Sequence, residues 1–125
     1  MIRNTDTSAE ELYDTENDPW EVVNLAGKSE YKEVLERMRT ANREWLLEIR
    51  DAGFIPEADR SIRVKDRAIY DYMREENIPL EDIFHAAEVA SEGNPENLPL
   101  LVSFLESDDS AIRYWGATGL LILGE

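Results

Sequence analysis

Few side chains here are able to do chemistry, and their spacing argues against most reactions. The chain holds one histidine, His85, between Phe84 and Ala86. With no second histidine it forms no recognisable metal constellation, and its expected place is the surface or boundary of an amphipathic helix. The absence of cysteine excludes disulfides, thiolate metal sites and thiol nucleophiles, and leaves the compartment open. Carboxylates are abundant, so pairs of them carry little information. Asp14, Glu16 and Asp18 follow the one-three-five spacing of a calcium loop. Such a loop needs Gly at its sixth position and Glu at its twelfth, where this chain has Pro19 and Leu25. There is no G-x-S-x-G elbow, no P-loop and no dinucleotide fingerprint. Arg60, Arg63, Lys65 and Arg67 form the only basic cluster. Ion pairing with the surrounding acids is the plain reading of it. Binding a sulfate or phosphate would need a Gly-rich loop or a helix N-terminus aimed at the same point. Of Trp20, Trp45 and Trp115, only Trp20 falls in an expected loop. Stacking on a sugar and packing over the long helix are the two readings for it.

The balance of charge narrows the partners. The chain has 28 acidic and 13 basic residues for a net charge of −15. Residues 1–57 carry 14 acids and 7 bases, and residues 58–125 carry 14 and 6, so the excess is spread evenly. Such a surface repels phosphate backbones, anionic lipid and free sulfated polysaccharide, which argues against nucleic acid and membrane partners. No run approaches the ~20 apolar residues of a membrane span, and the first residues lack the apolar core of a secretory signal. At 125 residues and 42% apolar, the chain has enough for one domain or two small pieces.

Periodicity gives the elements. Residues 1–10 are polar and expected to be mobile. Glu11–Asp14 alternates and contains Tyr13, which suits a short strand, and Asn17-Asp18-Pro19 forces a turn. The clearest helix spans 30–52, where Tyr31, Val34, Leu35, Met38, Ala41, Trp45, Leu46 and Ile49 make one apolar stripe that requires a covering surface. Ser29 is its expected N-cap and Gly53 its expected C′ residue, with Pro56 beyond. Glu33 and Arg37 have the spacing of a supporting ion pair. Residues 58–65 read as a linker. A short helix is expected over Asp66–Glu76, with Ile69, Tyr70 and Met73 on one face. The next starts at Pro79 and runs to about Ser91 on Leu80, Ile83, Phe84, Ala87 and Ala90, and Gly93 ends it. Asn94 caps a further helix with Pro95 in its first turn, lined by Leu98, Leu101, Val102 and Leu105. The last covers Ala111–Leu123, with Ile112, Trp115, Gly119 and Leu123 inward.

Residues 11–26 read Glu-Leu-Tyr-Asp-Thr-Glu-Asn-Asp-Pro-Trp-Glu-Val-Val-Asn-Leu-Ala. This resembles the ELYDLENDP-x-E-x-x-NLA segment near the C-terminus of sulfatases, and the likeness extends through the long helix to about residue 57. The resemblance implies a small subdomain beside the catalytic domain, in which Leu12 and Tyr13 pair into a sheet and Asp18-Pro19 shapes a turn. It also implies a parent reaction, hydrolysis of a sulfate ester or sulfamate by a formylglycine nucleophile with a bound divalent cation. The Cys/Ser-x-Pro-x-Arg motif that yields this nucleophile is absent, so no catalytic, metal or cofactor residue is expected in this chain.

Residues 95–124 resemble one HEAT-type repeat. Its second helix commonly reads D-x-x-V-R-x-x-A-x-x-x-L-x-x-L-G, against Asp109-Ser110-Ala111-Ile112-Arg113 and Gly119-Leu120-Leu121-Ile122-Leu123-Gly124 here. Asp109 suits the helix start, and Arg113 is within reach of Asp109 or of an acidic turn. Small residues at Gly116, Ala117 and Gly119 let two helices approach. An ordinary helical hairpin is the alternative. A repeat of this kind cannot bury its apolar face alone, so further repeats are expected downstream.

The combined expectation is a mainly α chain with at most one short strand. It comprises a sulfatase C-terminal remnant at 1–57, a linker at 58–65 and a helical, HEAT-like section at 66–125. Its expected role is packing and protein interaction as a non-catalytic part of a sulfatase-family hydrolase, with Leu12, Tyr13, Asp18, Pro19, Trp45, Asp109, Arg113 and Trp115 as structural or interaction residues. The expected partner is the parent catalytic domain or another protein, and a second copy of the chain if isolated. The parent is periplasmic or exported only if a leader lies outside this sequence. An independent HEAT-like adaptor is the second reading, and burial of Leu12–Tyr13 within the chain itself would favour it.

Overall fold

The computed structural model describes residues 10–75 and 77–124. The expected mobile segment up to residue 9 and the expected helix end at Glu76 lie outside them. Among the described residues the chain is mainly α, with no strand. The helices are α1 (Lys32–Ile49), α2 (Glu57–Val64), α3 (Ile69–Tyr72), α4 (Leu80–Ser91), α5 (Leu98–Phe104) and α6 (Ser110–Leu123), with short 3-10 turns at Ser29–Tyr31, Ala52–Phe54 and Pro95–Asn97. The chain divides into two compact units, one ending at Trp45 and one starting at Leu46.

In the first unit, Leu12 and Leu25 are the buried apolar residues among those described. Glu11–Asp14 does not form the expected strand. Among the described residues only the Leu25 N–H to Leu12 carbonyl bond (2.8 Å) links its backbone to a facing segment, too little for a ladder. Ser29 does not cap. Lys28 occupies the cap position of the 3-10 turn and its side chain makes no cap bond. Along α1 no residue is buried. The stripe forms as the spacing predicts, but it is only partly covered: Tyr31, Val34, Leu35 and Leu46 are half-buried, while Met38, Ala41 and Ile49 are exposed and Trp45, expected inside, is 56% exposed.

The second unit holds the core, with Ile55, Met73, Ile83 and Leu101 fully buried. Helix α1 stops at Arg50, which takes the left-handed place (φ 56°) expected of Gly53. Such a conformation costs a non-glycine residue about 1–2 kcal/mol. The Arg50 guanidinium offsets this by donating to the carbonyls of Met73 and Glu75. Gly53 instead lies in the next 3-10 turn, where the Asp51 carboxylate accepts its N–H at 2.9 Å.

The stretch read as a linker is helix α2. Its first turn carries Glu57 and Asp59 and its last turn Arg63, which is the favourable sense for the helix dipole. The expected helix over 66–76 is reduced to one turn, α3, followed by the buried Met73. Helix α4 begins directly after Pro79 and buries Leu80, Ile83, Phe84, Ala87 and Ala90 as expected, together with Ala86 and Val89. The small residues give it a second buried side, and it packs against both α5 and α6. Gly93 (φ 59°) reverses the chain after α4, and the Asn94 side chain accepts from Glu96 N–H at 3.1 Å to start the next turn. On α6, Gly116 and Gly119 are buried. A Cβ at Gly116 would lie 2.9 Å from the Leu101 carbonyl oxygen, and one at Gly119 would lie 2.4 Å from Leu101 Cδ2. The close approach of α5 and α6 therefore needs Gly116, while Gly119 also lets Ala90 of α4 come near, its Cα 3.1 Å from where a Cβ would lie.

Candidate functional site

In the first unit, residues 10–26 form a loop tied by its own polar side chains. The Asp14 carboxylate accepts from the N–H groups of Glu16 (3.2 Å) and Asn17 (3.1 Å) and from Asn17 Nδ2 (2.8 Å). The Asn17 bonds hold this carboxyl below the usual carboxylate range. Asp18 and Pro19 form the expected turn, closed by the Glu21 N–H to Asp18 carbonyl bond at 3.0 Å. Asp18 Oδ2 then accepts from both Val22 and Val23 N–H at 2.8 Å. This fixes Glu21 with φ 53°. Asn24 closes the loop: its Oδ1 accepts from Leu12 and Ala26 N–H at 3.0 Å, and its Nδ2 donates to the Glu10 carbonyl at 3.1 Å. Glu10 accepts a two-pronged ion pair from Arg39 on α1, and chiefly this hydrogen bonding lowers its pKa.

The loop buries Leu12 and Leu25 and leaves Trp20, Val22 and Val23 exposed, with its polar ties at the surface. Leu12 is buried and Tyr13 half-buried. Partial burial and the charges of Glu11, Glu21 and Asp18 push the Tyr13 phenol above its ordinary value. Trp20 is 86% exposed and Val22 77% exposed, so Trp20 does not pack over the helix. Replacing Asn24 with alanine strands the Leu12 and Ala26 N–H groups, and is expected to cost this loop about 2 kcal/mol. Amide exchange at Leu12 and Ala26 reads this directly. Unchanged protection there would show that other contacts hold the loop.

In the second unit, two of the four cations in the basic cluster, Arg63 and Arg67, are paired with acids among the described residues. Arg63 donates to both oxygens of Asp109 (2.8 and 2.7 Å), to Asp59 Oδ2 (2.9 Å) and to Ser110 Oγ (2.8 Å). Ser110 Oγ donates in turn to Asp59 at 2.8 Å. The three charged side chains are only 13–16% exposed. The Asp109 bonds are the main cause that raises the Arg63 pKa, against burial, with help from Asp59 and Tyr72. Burial pushes the Asp109 carboxyl up, but the Arg63 bonds and charge and the N–H groups of Ala111 and Ile112 outweigh it and hold it low. Arg67 pairs with Glu75 and lies 5.5 Å from the Tyr72 ring centre. A shallow groove of about 220 Å³ runs along Glu57, Arg60, Ser61, Val64 and Ile69.

Asp109 caps α6 as the sequence predicts, accepting from Ala111 N–H at 2.8 Å. Arg113 does not reach the Asp109 carboxylate, which Arg63 already occupies. It donates to the carbonyls of Ser107 (2.6 Å) and Asp108 (2.9 Å) and so locks the acidic turn. Trp115 is half-buried and its indole N–H donates to the Phe54 carbonyl at 2.8 Å. His85 is exposed and meets the Phe104 ring edge-on at 6.1 Å. The sequence points to ion pairing for Arg63 but not to Asp109 as its partner. The one available signal for a partner was the four-residue spacing from Asp59, which becomes meaningful only once 57–64 is helical.

Among the described residues no three His, Asp or Glu side chains converge as a cation site. No helix among the described residues is long and apolar enough to cross a membrane. The fold defines a mainly α protein with a tied loop and a helical core. Comparison with protein-family models, with curated proteins and with solved structures finds no match.

Proposed function

We propose that this chain is a non-catalytic docking segment of a sulfatase-family hydrolase, with the loop at 10–26 as its contact surface. One observation carries the reading. The polar residues that make the resemblance, Asp14, Asn17, Asp18 and Asn24, are the ones that tie the loop. The same ties hold Trp20, Val22 and Val23 outward. A rigid loop loses little entropy on binding, and aromatic anchors with apolar neighbours suit a protein surface.

The test is association with a sulfatase catalytic domain from which its own C-terminal subdomain has been removed. Co-elution in a one-to-one complex is expected, and Trp20→Asp should abolish it. A wild-type chain that fails to bind overturns the docking role. The chain alone should not hydrolyse a chromogenic sulfate ester, and turnover would overturn the non-catalytic reading.

A second reading is an independent HEAT-like adaptor. Burial of Leu12 within its own chain favours it. So do the Asp109 cap, the Arg113-locked turn and the glycine-mediated contact of α5 with α6. Stable folding of the isolated chain with binding to an unrelated protein, and none to a sulfatase domain, would select this reading.

A further inference from the structure

We propose that α1 is the surface through which two copies of this chain pair, with the helices antiparallel. The proposal is independent of the docking loop and uses different residues. Val34, Met38, Ala41 and Trp45 follow the four-three-four spacing of a two-helix seam. Met38 is 52% exposed and Trp45 56% exposed, and no residue of α1 is buried.

Side-chain size sets the direction. Read against its own reverse, the seam places Trp45 on Val34 of the second copy and Met38 on Ala41 of the second copy. Every layer then joins a large side chain to a smaller one, which lets the layers fill without voids. A parallel pair would stack Trp on Trp and Ala on Ala.

Charge points the same way. The chain carries a net −15, so most faces of two copies repel one another. Helix α1 holds four cations (Lys32, Arg37, Arg39, Arg43) and four carboxylates (Glu33, Glu36, Glu44, Glu48), and is neutral. Arg37 and Glu44 lie one heptad apart on the same side of the seam. Among the described residues neither is engaged in an ion pair. In the antiparallel register Arg37 meets Glu44 of the second copy, and the two-fold axis makes this pair twice. In a parallel pair neither residue meets an opposite charge.

Light scattering on the full chain across a concentration series tests the pairing. The mass is expected to rise from 14.4 kDa toward twice that value. Arg37→Glu or Glu44→Arg alone brings like charges together twice, and should weaken the dimer about tenfold. The double swap should restore it. Because the chain has no cysteine, introduced thiols report the direction. A mixture of Val34→Cys and Trp45→Cys chains should cross-link. Trp45→Cys alone should not, since its copies lie roughly 16 Å apart along the axis. A monomer at every concentration, single swaps without effect, a double swap that does not rescue, or cross-linking of Trp45→Cys with itself overturns the proposal.

Discussion

Gly116→Val is expected to destabilise the helical unit by about 3 kcal/mol, at the upper end of the cost of overpacking a core. A Cβ at this position sits 2.9 Å from the Leu101 carbonyl oxygen and 2.9 Å from Phe104 Cβ. Neither obstacle is the far end of a flexible chain, so α5 and α6 must move apart. That movement loosens Leu101, which is 1% exposed, and with it the contact to Ala90. Alanine makes a finer probe. Its better helix propensity returns about 1 kcal/mol, and Gly116→Ala should still lose stability. Urea unfolding checks both variants. A Gly116→Ala protein more stable than the wild type would show that the helices tolerate a wider spacing.

Arg63→Met is expected to cost about 2–3 kcal/mol, less than breaking a fully buried pair because the cluster retains some solvent. The change leaves Asp59 and Asp109 facing one another through Ser110, without the cation that satisfies both. The effect should depend on pH in a defined sense. In the wild type the Asp109 carboxyl is held below its ordinary value. Its contribution is therefore complete above the unfolded value of about 3.9, and is lost as the pH falls through the lower folded value. Without Arg63, burial is opposed only by the N–H bonds from Ala111 and Ile112, so this carboxyl titrates higher than in the wild type and the variant should lose less stability in acid. The gap between the two proteins should narrow from about pH 7 toward about pH 3. Denaturant midpoints across that range measure it. Parallel pH profiles for the two proteins would show that Arg63 does not act through these carboxylates.

Local signals read well in the second half of the chain. Asn94 and Asp109 both accept from the N–H groups that their cap positions predict, and the α4 stripe is buried on the residues its spacing names. Caps and stripes depend on neighbours within a turn or two, so they survive whatever surrounds them. The end of α1 was not legible. A glycine at residue 53 looks like the stop, but Arg50 takes the left-handed place because the Met73 and Glu75 carbonyls, distant in sequence, accept its guanidinium. The segment read as a linker is helical for a similar reason: Arg63 gains its strongest bonds from Asp109, far along the chain. Trp45 shows the opposite limit. Its spacing correctly placed it on an apolar face, yet spacing says nothing of whether another surface covers that face.

The sequence by itself determined the helical character, the Asn94 and Asp109 caps, the Asp18-Pro19 turn, and the lack of a thiol or second histidine. These depend on residue type and short-range spacing, which a chain carries before it folds. Only the tertiary structure decided that Arg63 joins Asp59 to Asp109, that Arg113 locks a turn, and that the α1 stripe is only partly covered. Each of these depends on which distant groups arrive at hydrogen-bonding or van der Waals distance, and no local pattern of residues encodes that distance.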